Sequence, residues 1–245
     1  MKRGVLFMQN SLRAAIVPAA LLFATLGAAP ASTRLLYQDT VMAPSGTEQS
    51  VTALITVAPQ SNGGARITLS ATGQSPVTVT IAADGSVPAP QGSPGPQRAQ
   101  AMLILQRVML LGRIRRALPM HSPLEVRIPV LAPGASAPLA LSARLTQTSG
   151  TVPALSASAS TSTTATIDPE KAKIHGILPA RRVAERVKNA LTPSHVTLPD
   201  KITATIHAAI KGGAVSKISG HVAHELTAHG QTTTLSENWS LKPSL

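Results

Sequence analysis

The chain has no cysteine among its 245 residues. That absence excludes a disulfide framework, thiol catalysis and a lipid anchor on an N-terminal cysteine. Aromatic residues are nearly absent too: two Phe, one Tyr and one Trp. Both Phe fall within the first 31 residues, so only Tyr37 and Trp239 remain beyond them. Two rings do not build the aromatic girdles of an outer-membrane barrel. Nor do they supply the platforms on which single-stranded nucleic acid stacks, so no nucleic-acid partner is expected. Acids are scarce, 10 Asp and Glu against 22 Lys and Arg, for a formal charge of +12. The acids form no paired-carboxylate motif, while a positive excess of this size attracts anionic polymers and anionic membrane surfaces.

Residues 1–31 read as a secretory signal peptide. Lys2, Arg3 and Arg13 make the front basic, Ala14 to Leu26 is apolar apart from Pro18 and Thr25, and Ala29 and Ala31 occupy the small-x-small positions of a cleavage site. The apolar run is roughly 13 residues, short of the ~20 that a membrane-crossing helix needs. The expected address is therefore export, to the periplasm or beyond. Residues 32–245 are expected to form a single strand-rich domain.

Most of that domain alternates with period two, the pattern of half-buried strands. Val51, Ala53, Ile55 and Val57 share one face, and Asn62-Gly63 predicts a hairpin turn into Ala65, Ile67, Leu69 and Ala71. Val77, Val79 and Ile81 follow. A second set holds Val126, Ile128 and Val130, then Leu139, Leu141, Ala143 and Leu145. Pro129 lacks an N–H and places its strand at an edge or bulge. The Ser/Ala/Thr stretch 154–167 keeps Leu155, Ala157, Ala159, Ala165 and Ile167 on odd positions, which predicts a long strand with a shallow apolar face rather than a linker. The third set contains Ile202, Ala204, Ile206, Ala208 and Ile210, a Gly212-Gly213 turn, then Ile218, Val222, Leu226 and Ala228, and finally Leu235, Trp239 and Leu241.

Two helices are expected between the sets. The first, near 97–118, carries Ala101, Ile104, Leu105, Val108 and Leu111 at helical spacing, with Arg113, Arg115 and Arg116 in its last turn, where the helix dipole favours cations. The second, near 179–191, begins at Pro179 and carries Ala180, Val183, Ala184, Val187 and Leu191, with Arg181, Arg182 and Arg186 on the other side. The expected class is α+β: mainly an antiparallel curved sheet of about nine strands with two amphipathic helices packed on one face.

Catalytic and metal motifs fail on spacing. The run His221 to His229 suggests a metalloprotease, but the signature needs two His four apart on a helix with Glu after the first. Here His224 and His229 are five apart, and the segment alternates as a strand. It reads as ordinary exposed strand residues, with no metal site. No Gly-x-Ser-x-Gly elbow and no Ser-x-x-Lys occur. No catalytic residue and no cofactor is expected.

The leading functional expectation is an exported envelope protein that carries an apolar or amphiphilic ligand such as a lipid. It rests on a small-residue sheet opposite amphipathic helices, a pairing that leaves room for a hollow. The layout is similar to the half-barrel lipid carriers of bacterial envelopes, and no residue role is carried over from them. Leu105, Val108, Leu111, Val183 and Val187 are the candidate ligand contacts. Arg113, Arg115, Arg116, Arg181, Arg182 and Arg186 are the candidate contacts to an anionic surface. Two other classes stay open: an adhesive envelope module binding anionic polymers or membrane, and a secreted hydrolase in which Ser, His and Asp converge in a cleft.

Overall fold

The computed structural model describes residues 32–71, 75–82, 96–120, 122–148, 154–167, 196–228 and 230–244. Ten strands form one open antiparallel sheet: β1 (Thr33–Met42), β2 (Glu48–Pro59), β3 (Ala65–Ala71), β4 (Val77–Ile81), β5 (Leu124–Val130), β6 (Leu139–Thr148), β7 (Ala154–Ile167), β8 (Val196–Lys211), β9 (Ala214–Ala228) and β10 (Gln231–Pro243). One helix, α1 (Pro96–Arg116), lies between β4 and β5 in the chain. The spatial order is β4-β3-β2-β1-β10-β9-β8-β7-β6-β5. Strands that neighbour one another within each of the two halves are consecutive in the chain. The exception is the central pair, β1 and β10, in which Leu35 faces Pro243 and Met42 faces Ser236.

This order explains the helix. After β4 the chain stands at one edge of the sheet and must resume at β5, the opposite edge. The crossing is made over the buried face, where α1 packs on β5, β9 and β10. Pro96 opens it, a position whose missing N–H costs nothing. Its inward side is almost wholly apolar: Leu103, Ile104, Leu105, Val108, Leu110, Leu111 and Ile114 are buried. The sheet answers with Ile55, Ile67, Ile128, Ile202, Ile206 and Ile218, and each such side chain taken from water contributes about 1.5–3 kcal/mol.

The period-two reading holds strand by strand. β8 buries Leu198, Ile202, Ala204, Ile206 and Ala208 on one parity. β7 is a single 14-residue strand with Leu155, Ala157, Ala165 and Ile167 buried. Pro129 does lie on an edge strand, β5. Gly212 and Gly213 turn β8 into β9 with φ of 58° and 76°. The tenth strand is β1, which the alternation of apolar residues did not disclose. Its inward positions are Leu35, Tyr37, Asp39 and Val41, and a carboxyl on the core side breaks the pattern. The expected helix near 179–191 and the segment 1–31 lie outside the described residues. No helix among the described residues is long and apolar enough to cross a membrane.

Candidate functional site

Five acidic or basic side chains are buried among the described residues: Asp39, Arg107, Asp200, His224 and Glu237. All five meet on the face that α1 covers. Strand parity places four of them. Asp39 follows Tyr37 by two on β1, Glu237 precedes Trp239 by two on β10, and His224 and Asp200 lie on the inward positions of β9 and β8. The register then brings them together. Val41 pairs with Glu237, Leu235 with His224, and Ile202 with His224, so the carboxyls and the imidazole occupy diagonal neighbours across four strands. From above, α1 contributes Gln100 and Arg107, seven residues and thus about two turns apart on one side of the helix.

Arg107 is the hub. Its Nη1 donates to Glu237 Oε1 at 2.7 Å and also to the Tyr37 hydroxyl. Its guanidinium lies over Trp239, 4.5 Å from the ring centroid, with Tyr37 at 6.0 Å. This is the flat cation-on-aromatic arrangement that suits Arg. The indole comes close to β9 because residue 220 is glycine: a Cβ there would sit 2.4 Å from Trp239 Cε2. Asp39 Oδ2 accepts from the Tyr37 hydroxyl at 2.9 Å and from Gln100 Nε2 at 3.2 Å. On the other side, His224 Nδ1 is 2.9 Å from Asp200 Oδ2. Asp39 Oδ1, Asp200 Oδ1, Trp239 Nε1, and Arg107 Nε and Nη2 are buried without a protein hydrogen-bond partner.

The charges follow from this crowding. Burial, then the neighbouring Glu237 carboxylate, push Asp39 up to about 7 against the pull of Arg107. Burial works to raise Glu237 as well, but the charge and hydrogen bond of Arg107 outweigh it and hold Glu237 below its ordinary value. Burial raises Tyr37 well above its usual range. Near neutrality the cluster therefore keeps Glu237 ionised, Tyr37 neutral and a proton on Asp39 for part of the time.

A hollow of about 430 Å³ opens beside this cluster. It is lined by Glu237, His224, Gln100, Val41, Leu235 and the segment 131–136 after β5. That segment is folded back by Gly134, whose φ is 76°. The Thr166 N–H of β7 donates to Pro133 O at 3.1 Å, which ties the segment to the sheet. The His224 ring lines the hollow.

Those of the positions singled out from sequence as contacts that the structure describes do not line this hollow. Leu105, Val108 and Leu111 are buried in the main core, and none lines this hollow; the helix reaches it through Gln100. Val183, Val187, Arg181, Arg182 and Arg186 lie outside the described residues. Arg113 is exposed at the end of α1, with Arg115 and Arg116 partly buried beside it. Burial lowers Arg115, and burial together with Arg113 lowers Arg116. The reading of the 221–229 run as exposed strand residues is corrected at His224, which is 1% exposed. It sits on the same parity as Val222 and Leu226, so the strand turns it inward. His221 is exposed and pairs with Asn238 Oδ1 at 2.9 Å. Asp39, Arg107, Asp200 and Glu237 were missed. Their signal was a charged residue in the parity or helical stripe of the core.

The chain matches no protein-family model and no curated protein. Among solved structures it is similar to a protein of unknown function of the DUF3598 family from Nostoc punctiforme PCC 73102, at 8% identity and a TM-score of 0.21, covering 92% of this chain and 99% of that one. A second is the dehydratase domain from the CurJ module of the curacin polyketide synthase, at 9% identity and a TM-score of 0.16, covering 93% of this chain and 83% of that one. Scores this low establish no common fold.

Proposed function

We propose that the protein binds a small amphiphilic ligand in the hollow beside Glu237 and His224, and that it does so outside the cytoplasm, to which residues 1–31 direct it. The observation that carries the reading is the hollow itself. Its volume, about 430 Å³, lies in the range of small-molecule sites, roughly 300–1,000 Å³. Val41, Leu131, Ala132, Pro133, Ala135 and Leu235 offer an apolar body a wall, and the two titratable side chains mark the polar end. Leu105, Val108 and Leu111 serve this site by packing α1 onto the sheet. Native mass spectrometry of the protein purified from its own source tests the reading. A co-purifying amphiphile supports it. Bare protein that also fails to take up medium-chain alcohols, acids and amines overturns it.

A second reading has its own observation. Ser136 lines the same hollow as His224, and Asp200 holds the far side of that ring. Ser, His and Asp around one cavity are the constituents of an acyl-transfer site. Turnover of p-nitrophenyl esters that disappears in both Ser136→Ala and His224→Phe supports hydrolysis. Turnover that neither variant alters, or no turnover at all, removes it.

A further inference from the structure

The geometry points to a ligand with a cationic head: the polar end of the hollow is built to receive a primary ammonium, so the ligand is an amine-headed amphiphile. This rests on the hollow being the binding site.

The first reason is what faces the hollow and what stands behind it. Glu237 lines the cavity, while its countercharge Arg107 does not. The guanidinium is held between Glu237, the Tyr37 hydroxyl and the Trp239 ring. Negative charge is therefore presented and positive charge is withheld.

The second reason is His224. The ring is 1% exposed and lines the cavity, and its Nδ1 lies within hydrogen-bond distance of the Asp200 carboxylate. A ring that donates from that nitrogen to the carboxylate offers its Nε2 as an acceptor. An ammonium supplies the N–H donors that a carboxylate and an imidazole acceptor need together.

The third reason is the charge balance. Two buried carboxyls, Asp39 and Glu237, share one buried guanidinium, while the third, Asp200, faces only the His224 ring. Such a surplus is costly unless a cation or protons offset it. The proton that Asp39 retains up to about pH 7 is one sign of that surplus. A carboxylate head placed at the same spot meets Glu237 instead of a cation. The rest of the chain repels ammonium, since it is strongly basic, which leaves this hollow as a distinct cation-accepting place.

Calorimetric titration of the full chain near neutral pH with decylamine, decan-1-ol and decanoate, each below its micellar concentration, decides the matter. Decylamine is expected to bind at least about ten-fold more tightly than decanol, a difference of about 1.4 kcal/mol, with decanoate weaker than decanol. His224→Phe and Glu237→Gln should each reduce the amine's advantage over the alcohol measured in the same variant. The comparison in the unaltered protein stands even where Glu237→Gln, which loses the Arg107 pair, folds poorly. Decanoate binding as tightly as decylamine, or equal affinity for all three, overturns the head-group assignment and leaves the binding site intact. No uptake of any of them overturns both.

Discussion

Arg107 Nη1 lies 2.7 Å from Glu237 Oε1, and this ion pair joins α1 to the centre of the sheet. The two residues are 130 positions apart, and neither side chain is more than 8% exposed. Removing one partner strands the other in a poorly hydrated site. Arg107→Met is therefore expected to cost about 3–5 kcal/mol in urea unfolding. The double variant Arg107→Met, Glu237→Met should recover part of that loss, because Glu237 is no longer left buried without its cation, while Asp39 still loses the guanidinium. Equal instability of the single and double variants would contradict the role given to the pair.

The exposed pair Arg144–Glu125 makes the opposite case. Its N–O distance, 2.9 Å, is nearly as short, but its side chains are 74% and 65% exposed. Water screens both charges, and ordering two long side chains offsets the remaining attraction. Arg144→Ala should change unfolding free energy by no more than about 0.5 kcal/mol. A loss above 1 kcal/mol, which is to say about the size of a buried hydrogen bond, would show that edge strand β5 depends on it.

Asp39 ties stability to pH. Between 3.8 and about 7 the folded chain holds a proton on this carboxyl that the unfolded chain has released. Stability is therefore greatest below that window and falls as pH rises through it, by roughly 4 kcal/mol in full at about 1.4 kcal/mol per unit. Glu237 acts in the reverse sense. It is held below its ordinary value of 4.5, so the stability it contributes is present above 4.5 and lost as pH falls further. Urea midpoints measured across pH should peak between about 4 and 5. Asp39→Asn should flatten the decline on the alkaline side and leave the acid limb in place.

The sheet was legible in the sequence wherever the buried face was mainly apolar. β8 and β9 carry enough apolar residues on one parity, Ile202 to Ala208 and Ile218 to Leu226, to be read despite Asp200 and His224, and even the Ala-rich β7 keeps the alternation. β1 was not legible because Asp39 occupies a core position among Leu35, Tyr37 and Val41, so a count of apolar residues sees no strand. Arg107 was passed over for a related reason. It sits within the apolar stripe of α1, where a lone cation reads as the edge of the exposed side. His224 was discounted because a metal needs several ligands at short range, and a strand spreads its residues apart. What makes these positions a site is pairing between strands that are distant in the chain. Asp39 and Glu237 meet only because β1 and β10 lie side by side. No local spacing records that contact.

Gly220 shows the same dependence on a distant strand. It is an inward position of β9 opposite Trp239, and the indole fills the space a side chain would need. Gly220→Ala is expected to cost about 1–3 kcal/mol by overpacking. It should also change the emission of the single tryptophan, whose ring would be displaced from Arg107. In a Trp239→Leu background the same change should be nearly free, and the difference between the two costs measures the contact. Equal costs in both backgrounds would place the strain elsewhere.

Gly134 connects the fold to binding. It turns the 131–136 segment with a φ of 76°, and a Cβ at this position would lie 1.6 Å from the Thr166 carbonyl oxygen. Backbone blocks that Cβ, so no side-chain adjustment relieves the clash. Gly134→Ala must either lift the segment off β7 or break the hydrogen bond from the Thr166 N–H to Pro133 O. Because Pro133, Gly134 and Ala135 all line the hollow, the wall moves with the segment. The segment adds only Ala132 and Ala135 to the main core, so global stability should fall by only about 1–3 kcal/mol. Uptake of a decyl-chain ligand should weaken by at least about ten-fold. Hydrogen exchange of the Thr166 amide should speed up while that of the Ile202 and Ile206 amides, deep in β8, stays slow. If ligand uptake survives with the Thr166 amide exposed, the 131–136 segment is no part of the binding wall, and the site must lie deeper against Glu237 and His224 alone.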